Sequence, residues 1–320
     1  ASPRYAPGPG ATATGQQTSA VYGGGQGWRG PVYTDAVSLG HGIAPVRMKI
    51  AAISAQTVQR ADAQPFLAPS RCSGAPVSNS QQGILGLGGP QAGAPNTDAY
   101  VASMVGATAG VFAVQMCDID GRAWFGGYDP AYLEGVPMYT PLVDARDYYV
   151  VEVTDVRVDG VTAALTTTDF GLTLVDTGTS ITLLPARAFD ALSEIIEADP
   201  VFRRTFGEGF FTGGSCLGAP PDMDAAALDA ALPRFTVVLP GKGNADVALD
   251  LPATESYLTP TRAPGGGVVY CPALALSTSA SRAAATLLGS SLLHSHITIF
   301  DRPGMQVGFA PQRACAFLGH

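Results

Sequence analysis

The sequence predicts an all-β fold. Its 39 glycines and 25 prolines, spread along 320 residues, imply many tight turns. Short β-branched and aromatic runs lie between those turns, and only two stretches carry a helical period. Hydrophobic residues make up 46% and charged residues 14%, a balance that supports a large buried core.

The elements follow in order. Residues 1–19, rich in Gly, Pro, Ala and Thr, read as an exposed loop. Next, two β-prone arms surround the glycine-rich turn of Val21-Tyr22-Gly23-Gly24-Gly25-Gln26-Gly27-Trp28-Arg29-Gly30, a hairpin signal that continues into Val32–Leu39. Short strands are expected at 48–52, 83–87, 110–116 and 123–125, the last two joined by the turn Cys117-Asp118-Ile119-Asp120-Gly121. Residues 141–147 read as a connector, and 148–158 alternate as one strand before the Asp159-Gly160 turn. Residues 185–198 are helical, with Pro185 opening the run and Phe189, Leu192, Ile195 and Ile196 on its apolar face. Residues 223–232 are helical more weakly. The last third returns to strands at 235–239, 247–251, 268–270, 286–288, 297–300 and 306–309. A coarse echo links Gly83-Ile84-Leu85-Gly86-Leu87-Gly88 to Thr286-Leu287-Leu288-Gly289, as a duplication would.

Charge and cysteine usage narrow the function. The formal net charge is −8, and no basic cluster offers counter-charge to a phosphate backbone, which argues against nucleic-acid binding. No apolar run reaches the ~18 residues that a bilayer span needs. Cys72, Cys117, Cys216, Cys271 and Cys315 are widely spaced without a CxxC pair, so two disulfides with one cysteine left over is the natural reading, in a secreted or acidic secretory setting. No cofactor or metal is expected, and His294 and His296 read as plain strand residues. Asn79 and Asn96 do not open a glycosylation triplet.

The chemistry centres on Leu174-Val175-Asp176-Thr177-Gly178-Thr179-Ser180. An Asp between an apolar strand and a Thr-Gly turn sits at a loop tip, where backbone N–H groups and hydroxyls orient its carboxylate. Gly178 permits close approach of a ligand. Taken alone, the triplet equally fits a turn with a capping Asp.

In context the chain resembles the pepsin-like aspartic proteases. Their second catalytic motif is matched by Leu174–Ser180, followed by apolar Ile181–Leu184 and by Pro185. Their closing signature is matched by Leu287-Leu288-Gly289-Ser290, Ile299-Phe300-Asp301-Arg302 and Gly308-Phe309-Ala310-Pro311. The first-lobe strand is matched by Gln82–Leu87, and the flap by Tyr22-Gly23-x-Gly25. Ser290 and Gln82 stand where the family usually has Asp.

The resemblance implies a bilobal fold with a central cleft and a hairpin flap, residues 1–142 being the remainder of the first lobe and 143–320 the second. It implies an endopeptidase acting on extended polypeptide, with Asp176 as one of two catalytic carboxylates. Thr177 and Gly178 would support Asp176, Thr179 would bond substrate backbone, and Ser180 would share the same lip. Tyr22, Gly23, Gly25 and Trp28 would cover the substrate. Trp28 is placed as in β-secretase-type flaps, where the indole reaches the tyrosine hydroxyl; simple packing on the hairpin is the other reading. Cys216 and Cys271 flank a segment that is bridged by a disulfide in that type and in plant relatives, and Cys72 could pair with Cys117.

A second Asp-Thr/Ser-Gly is expected upstream of Ala1, because Tyr5-Ala6-Pro7 resembles the loop that follows the first motif. Three arrangements stay open. A processed zymogen could yield two chains, with a short partner linked through Cys315. The chain could be a proteolytic fragment. It could also be an inactive family member that binds other proteins.

Overall fold

The computed structural model describes residues 5–23, 25–40, 42–58, 83–90, 92–117, 121–144, 147–243, 245–263, 265–277 and 285–313. Strands dominate, as expected, and the chain divides into two compact units, Ala1–Gly110 and Val111–His320.

The first unit is built on the expected hairpin. Strand Thr12–Val21 pairs antiparallel with Gln26–Val37, which in turn pairs with Val46–Ala51 and with Ala55–Val58. At the tip, Tyr22 N–H donates to Gln26 O at 2.8 Å and Gly25 N–H to Tyr22 O at 2.9 Å. Gly25 takes φ +79°, which favours glycine. Residues 12–19 of the supposed loop at 1–19 are therefore strand. Of the residues from Thr12 to Val21 only Thr18 is buried, so backbone pairing, not an apolar pattern, orders them. Lower in the hairpin, a Cβ on Gly30 would lie 1.9 Å from Ala52 O, so the following segment crosses that strand at a distance no side chain permits.

Two other expectations change. Residues 83–87 form no strand, and Ile84 and Leu85 are 48% and 45% exposed. The single strand expected at 148–158 is two, Val150–Val151 and Asp155–Val158, because the chain leaves one sheet and enters another. Its Asp159-Gly160 turn is as read, with φ +51° and +74°.

Among the described residues, the second unit holds three sheets and a hairpin. In one, Gly121–Phe125, Val111–Met116, His296–Asp301, Gln306–Pro311 and Met138–Pro141 lie in that order, all antiparallel. The expected boundary at residue 142 thus falls just past a strand that pairs with the C-terminal end of the chain. A second sheet pairs Asp155–Val158 with Phe235–Pro240 and that strand with Asp246–Leu251. The third, a mixed sheet, carries the candidate site.

Helix Ala186–Ala198 buries Phe189, Leu192 and Ile196, while Ile195 is 37% exposed at the edge of the apolar stripe. The weaker helix is Ala225–Ala231, capped by Asp224. Further short helices were not expected. Pro200–Phe206 is the longest of these, its N–H groups of Val201 and Phe202 held by Asp199 at 2.8 Å. It brings Phe202 and Phe206 against Phe210, Phe211 and Tyr257 in a buried aromatic core. A disulfide joins Cys216 to Cys271, tying residues 216–217 to the hairpin of Leu258–Arg262 and Val268–Pro272. Cys117 is also disulfide-bonded. Cys72 and Cys315, with the pairing and linkage suggested for them, lie outside the described residues.

Candidate active site

The mixed sheet runs Leu274–Leu276, Thr182–Leu184, Thr286–Leu288, Thr173–Val175, Val150–Val151. Its Thr173–Val175 strand is short and inward-facing at Thr173 and Val175, with Thr286–Leu288 parallel on one side and Val150–Val151 antiparallel on the other. Pinned between neighbours, the strand delivers Asp176 to a fixed place at its end. Asp176 N–H still continues the ladder, donating to Leu288 O at 3.0 Å.

The chain then turns sharply. Thr179 N–H closes back on Asp176 O at 3.3 Å. The same turn brings two donors to the carboxylate: Gly178 N–H meets Oδ1 at 2.9 Å, and the Thr179 hydroxyl meets Oδ2 at 2.6 Å. Each oxygen therefore has its own donor, which locks the rotation of the carboxyl group. Asp176 and Thr177 are half-buried, and Gly178 and Ser180 are exposed at the lip. Thr179, expected to bond substrate backbone, has its hydroxyl on Asp176 Oδ2 in this loop.

A second segment braces the loop from behind. Gly289 follows the Thr286–Leu288 strand, and a Cβ there would lie 2.2 Å from Ile181 O and 2.7 Å from Thr179 O. Only glycine fits so close an approach. Beyond it, Ser290 N–H donates to Thr179 O at 2.7 Å and Ser291 N–H to Ser180 O at 3.1 Å. The Ser290 hydroxyl also reaches Ser180 O, at 3.0 Å. In the sequence Ser290 stands out only as a departure from the family pattern. The signal available was a Gly-Ser pair ending an apolar strand that echoes another.

In the first unit, Trp28 Nε1–H donates to the Tyr22 hydroxyl at 3.0 Å. Trp28 is 7% exposed and Tyr22 41%, so the indole both packs and holds the phenol at the open side of the hairpin. Gly23 and Gly25 lie in the same tip. His294, expected in a strand, instead ends the helix Ser290–Leu293 and accepts from Gln312 Nε2 through its carbonyl, while His296 is buried in the following strand.

A strand-end carboxylate held by a Gly N–H and a hydroxyl, within this mostly β-strand fold, is in keeping with the pepsin-like class of fold. The family model described as eukaryotic aspartyl protease matches residues 3–312, and the chain belongs to that family. It is similar to a protein named beta-secretase from Strongylocentrotus purpuratus, with 26% identity over an alignment of 256 residues that covers 72% of this chain and 47% of the relative. The chain thus spans about half the length of that curated relative.

Proposed function

We propose that this chain is the larger part of an aspartic endopeptidase that hydrolyses peptide bonds in extended polypeptides, favoured at acidic pH. The observation that carries the reading is the Asp176 carboxylate, oriented by the Gly178 N–H and the Thr179 hydroxyl. Residues 1–142 are read as the remainder of one lobe and 143–320 as the other. The Tyr22–Gly25 tip, its tyrosine fixed by Trp28, serves as the cover over substrate.

The chemistry needs a second carboxylate, because two close carboxyl groups share one proton. The ionised one takes a proton from water as the water oxygen bonds to the scissile carbonyl carbon. The protonated one gives its proton to the carbonyl oxygen. Collapse of the tetrahedral species then breaks the C–N bond, and a proton passes to the departing nitrogen.

The second Asp would come from a short partner segment, produced by zymogen processing and joined through Cys315. The internal echo supports a place for it. In the second unit, Leu288 is 2% exposed beside the Asp-bearing strand, whereas its counterpart Leu85 in the first unit is 45% exposed. An extended segment ending in Asp-Thr/Ser-Gly would cover Ile84 and Leu85 as Thr173–Val175 covers Leu287 and Leu288. The Cys216–Cys271 disulfide fits a secreted or acidic compartment, and no helix among the described residues is long and apolar enough to cross a membrane.

A second reading, an inactive pepsin-fold binding protein, is favoured by the single Asp-Thr-Gly in these 320 residues. One assay separates the two. The chain, with a synthetic segment bearing the second motif, is mixed with an acid-denatured protein and with or without a pepstatin-type inhibitor. Inhibitor-sensitive cleavage is expected; its absence across the acidic range supports the binding protein.

Thr179→Val tests the orienting hydroxyl. It removes the donor on Oδ2 at nearly constant volume, and a hydrogen bond to a charged group is worth about 1.5–3 kcal/mol. Steady-state kinetics should show kcat/KM down by at least about tenfold, and a thermal melt should show a midpoint lower by several degrees from loss of the same bond.

A further inference from the structure

We infer that Ser290 is a positioning residue for Asp176, and that its hydroxyl keeps the Asp176 loop in place independently of pH. This rests on the protease reading of Asp176. Ser290 grips the loop at two points: its N–H donates to Thr179 O at 2.7 Å and its hydroxyl to Ser180 O at 3.0 Å. Thr179 in turn holds Asp176 Oδ2 through its own hydroxyl at 2.6 Å. The backbone N–H thus holds the residue that bonds the reacting carboxylate, and the hydroxyl fixes the next residue of the same turn, so Ser290 acts on Asp176 through the loop.

The identity of the side chain matters because Ser180 O can only accept. A serine hydroxyl donates to it at every pH at which the protein is folded. A carboxyl group at the same position would donate only while protonated. Once ionised, it would set an anion against a carbonyl oxygen and release the grip. Serine thus removes a titration from the brace behind the active carboxylate. The titratable groups around this turn are few. The neighbouring strands Thr182–Leu184 and Thr286–Leu288 carry none, the strand His296–Asp301 contributes His296 and Asp301, His294 ends the helix, and the loop itself holds Asp176.

Three variants test the assignment in the enzyme supplied with its second carboxylate. Ser290→Thr keeps the donor and should retain activity. Ser290→Ala should lower kcat roughly fivefold with KM unchanged, the loss of one hydrogen bond. Ser290→Asp should keep activity in acid but lose it about one pH unit earlier as pH rises, and its thermal midpoint should fall relative to wild type over the same interval. A pH–kcat profile of Ser290→Asp that overlays the wild type would overturn the inference, as would an unchanged kcat in Ser290→Ala. If the wild type cleaves nothing, the protease reading fails, and the thermal midpoints still decide the brace: a constant offset between Ser290→Asp and wild type across pH removes it.

Discussion

Asp176→Asn is expected to lower kcat on the order of 10³-fold or more, the scale of a lost general acid–base group, while leaving the fold intact. The two side chains have the same shape, so the loop has no reason to move. The remaining oxygen of Asn still accepts from Gly178 N–H, as Oδ1 does at 2.9 Å. The amide nitrogen replaces Oδ2 against the Thr179 hydroxyl, which can rotate to accept where it now donates at 2.6 Å. What is lost is the charge and the ability to exchange a proton with water. Single-turnover cleavage of a quenched peptide, alongside circular dichroism melting, separates the two effects. Retained cleavage in a normally folded variant sinks the mechanism.

Much of the fold was legible because its signals are local. Two β-prone arms around a glycine-rich tip signal the hairpin, while the choice between an indole–phenol bond and simple packing for Trp28 stayed open until the geometry showed both. Asp159-Gly160 can supply two positive φ angles, so its tight turn was readable. What escaped has physical reasons. Helices of four residues, such as Ser290–Leu293, complete barely one turn and leave no period to detect. Pro200–Phe206 carries a local signal in Asp199-Pro200, a cap followed by proline at the first helical position, but its seven residues span too few turns to show an apolar period. Strand Thr12–Val21 has no apolar alternation because its stability comes from pairing with Gln26–Val37. The split of 148–158 depends on which distant strands receive each half, something no local pattern carries. At the site, Asp176 and Gly178 were legible as a motif. The brace from Gly289 and Ser290 was not, since Ser290 bonds a residue 110 positions away, and the Thr179 hydroxyl's bond to Asp176, only three residues off, depends on how tightly the loop turns.

The acid limit of the protein should be set in part by His296. This residue lies in the strand His296–Asp301 at 5% exposure, opposite Pro311, and its Nδ1 has no hydrogen-bond partner among the described residues. Burial pushes its pKa down to about 4, from the ordinary 6.5. The sign follows from which state takes the proton first. Between pH 6.5 and 4 the unfolded chain binds a proton at this residue and the folded chain does not, so stability falls as the pH drops through that window. Below pH 4 both states are protonated and the loss levels off. A shift of about 2.5 units corresponds to about 3 kcal/mol, a large share of the stability of an ordinary domain. His296→Phe has nothing to protonate and fills the same buried place. Denaturant titrations at pH 7 and pH 4 should show the variant losing about 3 kcal/mol less than the wild type. Carboxylates such as Asp35, held below the usual range by the Tyr5 hydroxyl, and Asp169, held down by the Thr166 N–H and hydroxyl, also cost stability in acid. They are common to both proteins and cancel in the difference. Equal losses in the two proteins would mean that His296 accepts its proton in place, and the acid limit would then lie with the carboxylates. For an enzyme favoured in acid, the expected outcome has a direct consequence: the variant should stay folded at a pH where the wild type melts, so its activity should extend further into the acid range.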